Sequence, residues 1–195
     1  MKHLLTQFGL SVGLASYATV GSPSADRRRQ QLKHITFMLL FLLAGVGQVW
    51  GEDVVYPNGG STLNSNWTQS SSRVARQTVN NKVVIQLQAV SSNNYGELYS
   101  SSTYSNISSI SINATANKNK SATLKLLYSS DNSTWEEVST ETISGDASQT
   151  YNDYPLTLTG LPSSAVYIKF QNSGSSNSVY LYSVTITTGT PETTD

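Results

Sequence analysis

The sequence contains no cysteine, and its two histidines, His3 and His34, both fall within the first 34 residues. Beyond that point no disulfide framework, no Cys–His or Ser–His–Asp nucleophile and none of the usual zinc ligand sets can be assembled. Charge is sparse: twelve Lys and Arg face twelve Asp and Glu over the whole chain. Five of the basic residues (Lys2, Arg27, Arg28, Arg29 and Lys33) lie before residue 52, so seven basic residues face eleven acidic ones from Glu52 onward, a net charge of about −4. With its cations scattered, such a surface offers no footprint for phosphate backbones, and nucleic acid is excluded as an expected partner. Phosphate-cradling glycine loops are missing too, since the glycine of SGSS at 173–176 reads as an ordinary polar turn. No window sustains a helical period after residue 51.

One long apolar run is present, ITFMLLFLLAGV at 35–46, preceded by the basic cluster RRRQQLKH and followed by the small-residue exit VWG. That order is the pattern of a secretory signal peptide, and the run is shorter than the roughly 20 residues a membrane-spanning helix needs. The leader is therefore expected to occupy residues 1–51, with a helical signal segment at 32–51, cleavage after about Gly51 and no permanent membrane span afterwards. Initiation at Leu32, at a bacterial start codon that also reads as leucine, gives a conventional leader beginning Lys33-His34, and on that reading residues 1–31 are set aside from the fold. Export predicts a secreted or cell-surface location, and a secreted domain without cysteine leans towards a bacterial protein that relies on its core.

After the leader, β-rich runs alternate with Ser, Asn and Gly punctuation. Strands are expected at 82–89, 107–116, 122–129, 134–143, 154–159, 165–171 and 178–187, with shorter pieces near 54–56, 65–68, 73–78 and 96–100. In 107–116, Ile110 and Ile112 alternate with Ser109, Ser111 and Asn113, as expected where one face packs and the other is wet. In 178–187, Tyr180, Tyr182, Val184 and Ile186 fall on one face, Val179 and Leu181 on the other. Hairpin turns are expected at Asp131-Asn132 and around 117–119. The fold class predicted is all-β: a two-sheet antiparallel β-sandwich of the jelly-roll kind, about ten strands over residues 52–188, with 189–195 as a tail.

Without His or Cys, catalysis would need a carboxylate pair. Adjacent Glu136 and Glu137 point to opposite faces of a strand, and Glu137 and Glu141 share a face at a separation of about 13 Å. Only long-range pairs such as Glu97 with Asp153 remain open. Oxygens for a structural calcium are available around Asp146 and in YNDY at 151–154, but isolated Asp residues in turns more often cap backbone amides, so no cofactor and no metal site are expected. Sugar rings are commonly held against Trp and Tyr faces. Trp67 in LNSNWTQS and the group Tyr95, Tyr99 and Tyr104 are the candidate ligand-binding residues, the alternative being that the same rings close the sandwich edges. Trp135, just past a tight hairpin, is expected to pack across its turn. Asn66, Asn106, Asn113, Asn119 and Asn132 are glycosylation sequons in a eukaryotic host and polar turns or strand edges in a bacterial one.

SSDNSTWEEV at 129–138 looks like a recurrent hairpin of secreted bacterial β-sandwich modules. In its surroundings, from ISSISINATANKNKSATLKLLY through AVYIKFQNSGSSNSVYLYSVTIT, the chain resembles the jelly-roll accessory modules of exported Bacteroidota proteins, carbohydrate-binding-module-like or galactose-binding-like, over about 66–187. Two places depart from that pattern: Tyr182 and Ser183 stand where many such modules carry acidic residues, and Lys169 where arginine is common. Architecture, export and a glycan-facing role are what the resemblance implies. The expected function is a non-catalytic secreted or cell-surface module binding glycans or a host or matrix component. The alternatives are a structural or adhesion β-sandwich that binds a surface protein, and a glycan-active enzyme with a carboxylate pair.

Overall fold

Period-two alternation governs nearly every segment after residue 51, and most of the strands it predicts are formed. The structure, a computed structural model, describes residues 48–49, 51–70, 72–90, 94–174 and 176–189. The expected signal segment, apart from residues 48, 49 and 51, and the tail from residue 190 onward lie outside the described residues. Among the described residues there is no α-helix, and none is long and apolar enough to cross a membrane.

Fourteen strands run in order: β1 (Gln48–Val49), β2 (Asp53–Val54), β3 (Trp67–Gln69), β4 (Val74–Val79), β5 (Lys82–Leu87), β6 (Ala89–Val90), β7 (Asn94–Tyr95), β8 (Glu97–Ser100), β9 (Ile107–Ala116), β10 (Ser121–Ser129), β11 (Glu136–Ser144), β12 (Asn152–Pro155), β13 (Tyr167–Asn172) and β14 (Val179–Thr188). Ten of them are three residues or longer, the number expected for the sandwich. One sheet has the order β12-β9-β14-β5-β4, with β1 and β2 also paired to β14; the second is β11-β10-β13-β8-β3, and every pairing is antiparallel. β6 and β7 form a separate two-stranded ribbon. The two larger sheets enclose a core that includes Ile85, Leu87, Ile110, Ile112 and Leu181 from the first and Leu98, Leu124, Leu126, Ile168 and Phe170 from the second. Each such side chain contributes about 1.5–3 kcal/mol on burial.

Two β-bulges change which residues face the core. In β14 the register slips between Leu181 and Ser183, so Val179, Leu181, Val184 and Ile186 all face inward, against Ala116, Ala114, Ile112 and Ile110. The expected grouping of Tyr180 and Tyr182 with Val184 and Ile186 is thus corrected: the extra residue, Tyr182, resets the alternation. A second slip pairs Leu126 with Ser139 but Leu127 with Glu137. It puts Glu137 on the outward side with Leu127 and Glu141 on the inward side with Leu124, so these acids do not share a face. The strand expected at 154–159 forms earlier, at β12, on the edge of the first sheet, where the ladder with β9 runs from Ala114↔Asn152 to Ser111↔Pro155 and a last bond follows from the Leu156 N–H to the Ile110 carbonyl (2.9 Å).

The outward faces of the two sheets differ. After β11 the chain runs as a strap, 145–151, across the first sheet. Gln149 Nε2 donates to the Ala116 carbonyl of β9 (3.1 Å), and Tyr151 Oη donates to the Val79 carbonyl of β4 (3.2 Å). The strap therefore passes over β14 and β5, and Val84 and Thr115, which point away from the core, are fully buried. On the second sheet the outward face remains open to solvent around Lys125, Glu137 and Tyr99.

Candidate functional site

On that open face, strand register sets two rows of side chains. Lys125, Gln171 and Glu97 stand side by side across β10, β13 and β8. One step along, Leu127, Lys169, Tyr99 and Thr68 form the next row, reaching β3. Adjacent strands lie about 4.8 Å apart, so each row is a continuous strip. Glu97 ties the rows together: its carboxylate accepts from Gln171 Nε2 at 2.6 Å and pairs with Lys169 Nζ at 3.3 Å. At the far end Lys125 Nζ meets Glu137 at 2.6 Å, and Thr140 Oγ1 donates to the same carboxylate at 2.7 Å; these two contacts hold the Glu137 carboxyl below the usual range.

Over the second row leans the hairpin between β10 and β11. Its loop is organised by Asp131, whose carboxylate accepts the backbone N–H groups of Ser133 and Thr134, both at 2.8 Å, and the Ser129 hydroxyl at 2.8 Å. Those donors, the Thr134 amide first, hold the Asp131 carboxyl far below the ordinary carboxylate range. Asn132 follows in the left-handed region (φ 59°), as its short amide side chain permits. The loop delivers Trp135 above Lys169, with the ammonium 4.0 Å from the indole centroid, and sets it edge-on to Tyr99 at a centroid separation of 6.4 Å. A cleft of about 350 Å³ results, lined by Ser70, Glu97, Tyr99, Asn132, Trp135 and Lys169. Lys169 is largely buried beneath the indole, while Trp135 is half-buried, with one ring face held by the cation.

The four residues singled out from sequence do not converge. Tyr99 belongs to the cleft. Trp67 does not: it is 3% exposed, its ring tilted against Phe170 at 5.8 Å in the core, and its expected part as a ligand-binding residue is corrected accordingly. The cause is orientation, since β3 pairs with β8 so that Trp67 stands opposite Ser100 on the inward side. Tyr104 packs against the core through the bridge to Val166, and burial, with Asp53 adding to it, pushes its hydroxyl up to about 12. Tyr95 sits on the separate β6–β7 ribbon and does not line the cleft. Trp135, expected to pack across its turn, is instead the aromatic that the loop brings to the cleft. Lys169, Glu97 and Gln171 become visible as a group only through register; their one sequence signal is the alternation of Tyr167, Lys169 and Gln171 with buried Ile168, Phe170 and Asn172.

The chemistry available is recognition by ring faces, an ammonium, a carboxylate and amides. Glu97 lies on the outward face of the second sheet, engaged by Lys169 and Gln171, whereas Asp153 lies on the outward face of the first, accepting from Asn113 at 2.9 Å. That long-range pair therefore stands on opposite sides of the sandwich. Asp146 caps the amides of Ser148 (2.9 Å) and Thr150 (2.8 Å), and among the described residues no group of three His, Asp or Glu side chains could hold a metal ion.

No protein-family model matches the sequence, and no curated protein matches it. Among solved structures, the chain is similar to a carbohydrate-binding module of family 29, with 17% identity and a TM-score of 0.50 over 71% of this chain and 88% of that one. Also similar are the CBM22-1–GH10 modules of a Clostridium thermocellum endo-1,4-beta-D-xylanase 10B complexed with xylohexaose (14% identity, TM-score 0.49, 73% of this chain and 29% of that one). A third is TmCBM61 in complex with beta-1,4-galactotriose (10% identity, TM-score 0.45, 68% and 97%). At these identities the likeness is one of fold: the chain has a β-sandwich of the kind found in carbohydrate-binding modules.

Proposed function

We propose that the chain is a non-catalytic glycan-binding module, exported to the cell surface or beyond, whose ligand lies across the open face of the β11-β10-β13-β8-β3 sheet. The observation that carries this reading is Trp135 held over that face by a bonded loop, next to Tyr99 and above the Lys169–Glu97–Gln171 network. A pyranose has one face of C–H groups and a rim of hydroxyls. The indole offers a flat apolar surface to the first, and the ammonium, carboxylate and amide offer donors and acceptors to the second. The fold shared with a family 29 carbohydrate-binding module supports the reading at the level of architecture.

Screening the full chain on an array of plant, bacterial and host oligosaccharides, beside a Trp135→Ala variant, tests it. The variant is expected to keep its β-sheet circular dichroism and to lose binding by about thirtyfold or more, the size of an aromatic anchor worth about 2 kcal/mol. An array blank for the unaltered chain, or equal binding by the variant, would overturn the reading. Export is tested separately, by N-terminal sequencing of material recovered outside the cells; a first residue near Glu52 is expected.

A further inference from the structure

The bulge at Tyr182 coincides with a break in the strand pairing beside β14. Along that side β5 pairs with residues 179–181 and β2 with 183–184, while the Tyr182 carbonyl between them accepts the Val55 N–H at 2.8 Å. The break opens a cleft of about 560 Å³ on the strap side of the sandwich, whose walls include Glu52, Tyr56, Asn58, Asn81, Lys82 and Tyr182. Both walls are pinned. Arg76 donates to the carbonyls of Gly60 (2.9 Å) and Gly59 (2.8 Å), fixing the 3-10 turn Pro57–Gly59. Opposite it, the Asn80-Asn81 turn has both residues in the left-handed region, and the Asn80 amide is bonded to the Gln149 carbonyl of the strap at 2.8 Å.

Lys82 is the cation of this cleft. Its ammonium lies 4.0 Å from the Tyr182 ring centroid and 5.3 Å from that of Tyr151. The ion pairs of the described residues are Lys125–Glu137 and Lys169–Glu97, and neither involves Lys82. Glu52, the acid in the same cleft, accepts instead from the Ser183 hydroxyl. An ammonium has three N–H donors, and ring faces satisfy its charge without accepting them well. The Asn58 and Asn81 side chains, both exposed, add amide donors and acceptors around it.

We infer that this cleft is a second ligand site, for a small ligand carrying one carboxylate beside several hydroxyls, the chemistry of an acidic monosaccharide unit. The carboxylate pairs with Lys82 and the hydroxyls are read by Asn58 and Asn81. The site lies on the opposite sheet from the Trp135 cleft and does not depend on it.

The test is an amide-resolved NMR titration of the full chain with sodium galacturonate, galactose and sodium acetate in turn. Galacturonate is expected to shift the amides at 58, 81, 82 and 182 and to bind about tenfold tighter than either of the others, the increment of one charge-assisted hydrogen bond. That preference should vanish in Lys82→Gln, persist in Lys82→Arg, and persist in Trp135→Ala, which separates this site from the platform. Galactose or acetate equalling galacturonate, shifts confined to residues outside the cleft, or an undiminished preference in Lys82→Gln would each overturn the inference.

Discussion

Two tryptophans exchange the parts their sequence neighbours suggest. Trp67 sits among amides and hydroxyls yet packs on Phe170, and its indole N–H is buried with no hydrogen-bond partner. Truncation to alanine is expected to cost about 3–5 kcal/mol by urea denaturation, the range for emptying a large aromatic site. Trp67→Phe should cost far less, because it also removes an orphaned donor that itself costs about 1–3 kcal/mol. A loss in Trp67→Phe as large as that in Trp67→Ala would contradict this. Trp135, in a charged hairpin, is the ring on the surface. Neighbours in sequence do not report the face on which a side chain lies; only alternation does, and β3 is three residues long, too short for a period of two to be read. Lys169 was equally hidden, since a lone lysine between isoleucine and phenylalanine signals a strand but not the Glu97 carboxylate 72 positions away.

At the scale of elements, the hairpin between β10 and β11 carries the site, and Asp131 holds the hairpin. Asp131→Ala should lower the urea denaturation midpoint modestly while weakening the proposed glycan binding several-fold, because Trp135 is no longer held in place. Because that carboxyl is depressed in the folded chain, its contribution is complete above the unfolded value of about 3.9 and is lost as pH falls below it. In the folded chain the carboxyl itself protonates well below that value, so the Trp135 indole resonance should stay fixed from neutral pH down through about pH 4 and move only in still more acid solution. Movement that begins above about pH 4 would contradict this. The turn was legible in advance, as Asp-Asn between two apolar alternations. The faces were less so where a bulge intervenes: at Tyr182 and near Val138 one extra residue inverts the alternation, and nothing in the local sequence marks it. The strap, polar and irregular, carries no periodic signal at all; Gly145 at its start is fixed by space, since an added Cβ would lie 2.4 Å from the Asn117 carbonyl oxygen.

Over the whole molecule, fold class and strand count followed from alternation, whereas sheet order did not, because pairings such as β5–β14 join segments nearly a hundred residues apart. The two sheets are joined by a buried polar seam. Asn172, fully buried at the end of β13, donates to the carbonyls of Leu87 in the other sheet (2.7 Å) and Asn177 (2.8 Å), and accepts from the Gly174 N–H (3.1 Å). Asn172→Ala is expected to destabilise the fold by about 3 kcal/mol, since buried partners are left unpaired, with the loss read from the urea midpoint at unchanged m-value. A loss below about 1 kcal/mol would mean that water replaces the amide. The pairing of β1 with the last residues of β14 has a different kind of consequence. Gln48 lies opposite Thr188 and Val49 opposite Thr187, so a chain that keeps these residues comes into the sandwich and goes out of it a single strand spacing apart. One cut before Glu52 comes in at β2, where Asp53 pairs with Val184, about 13 Å along β14 from its end at Thr188. Such a body can be spliced into the surface loop of a host protein as a pendant cassette without prying the host's loop open.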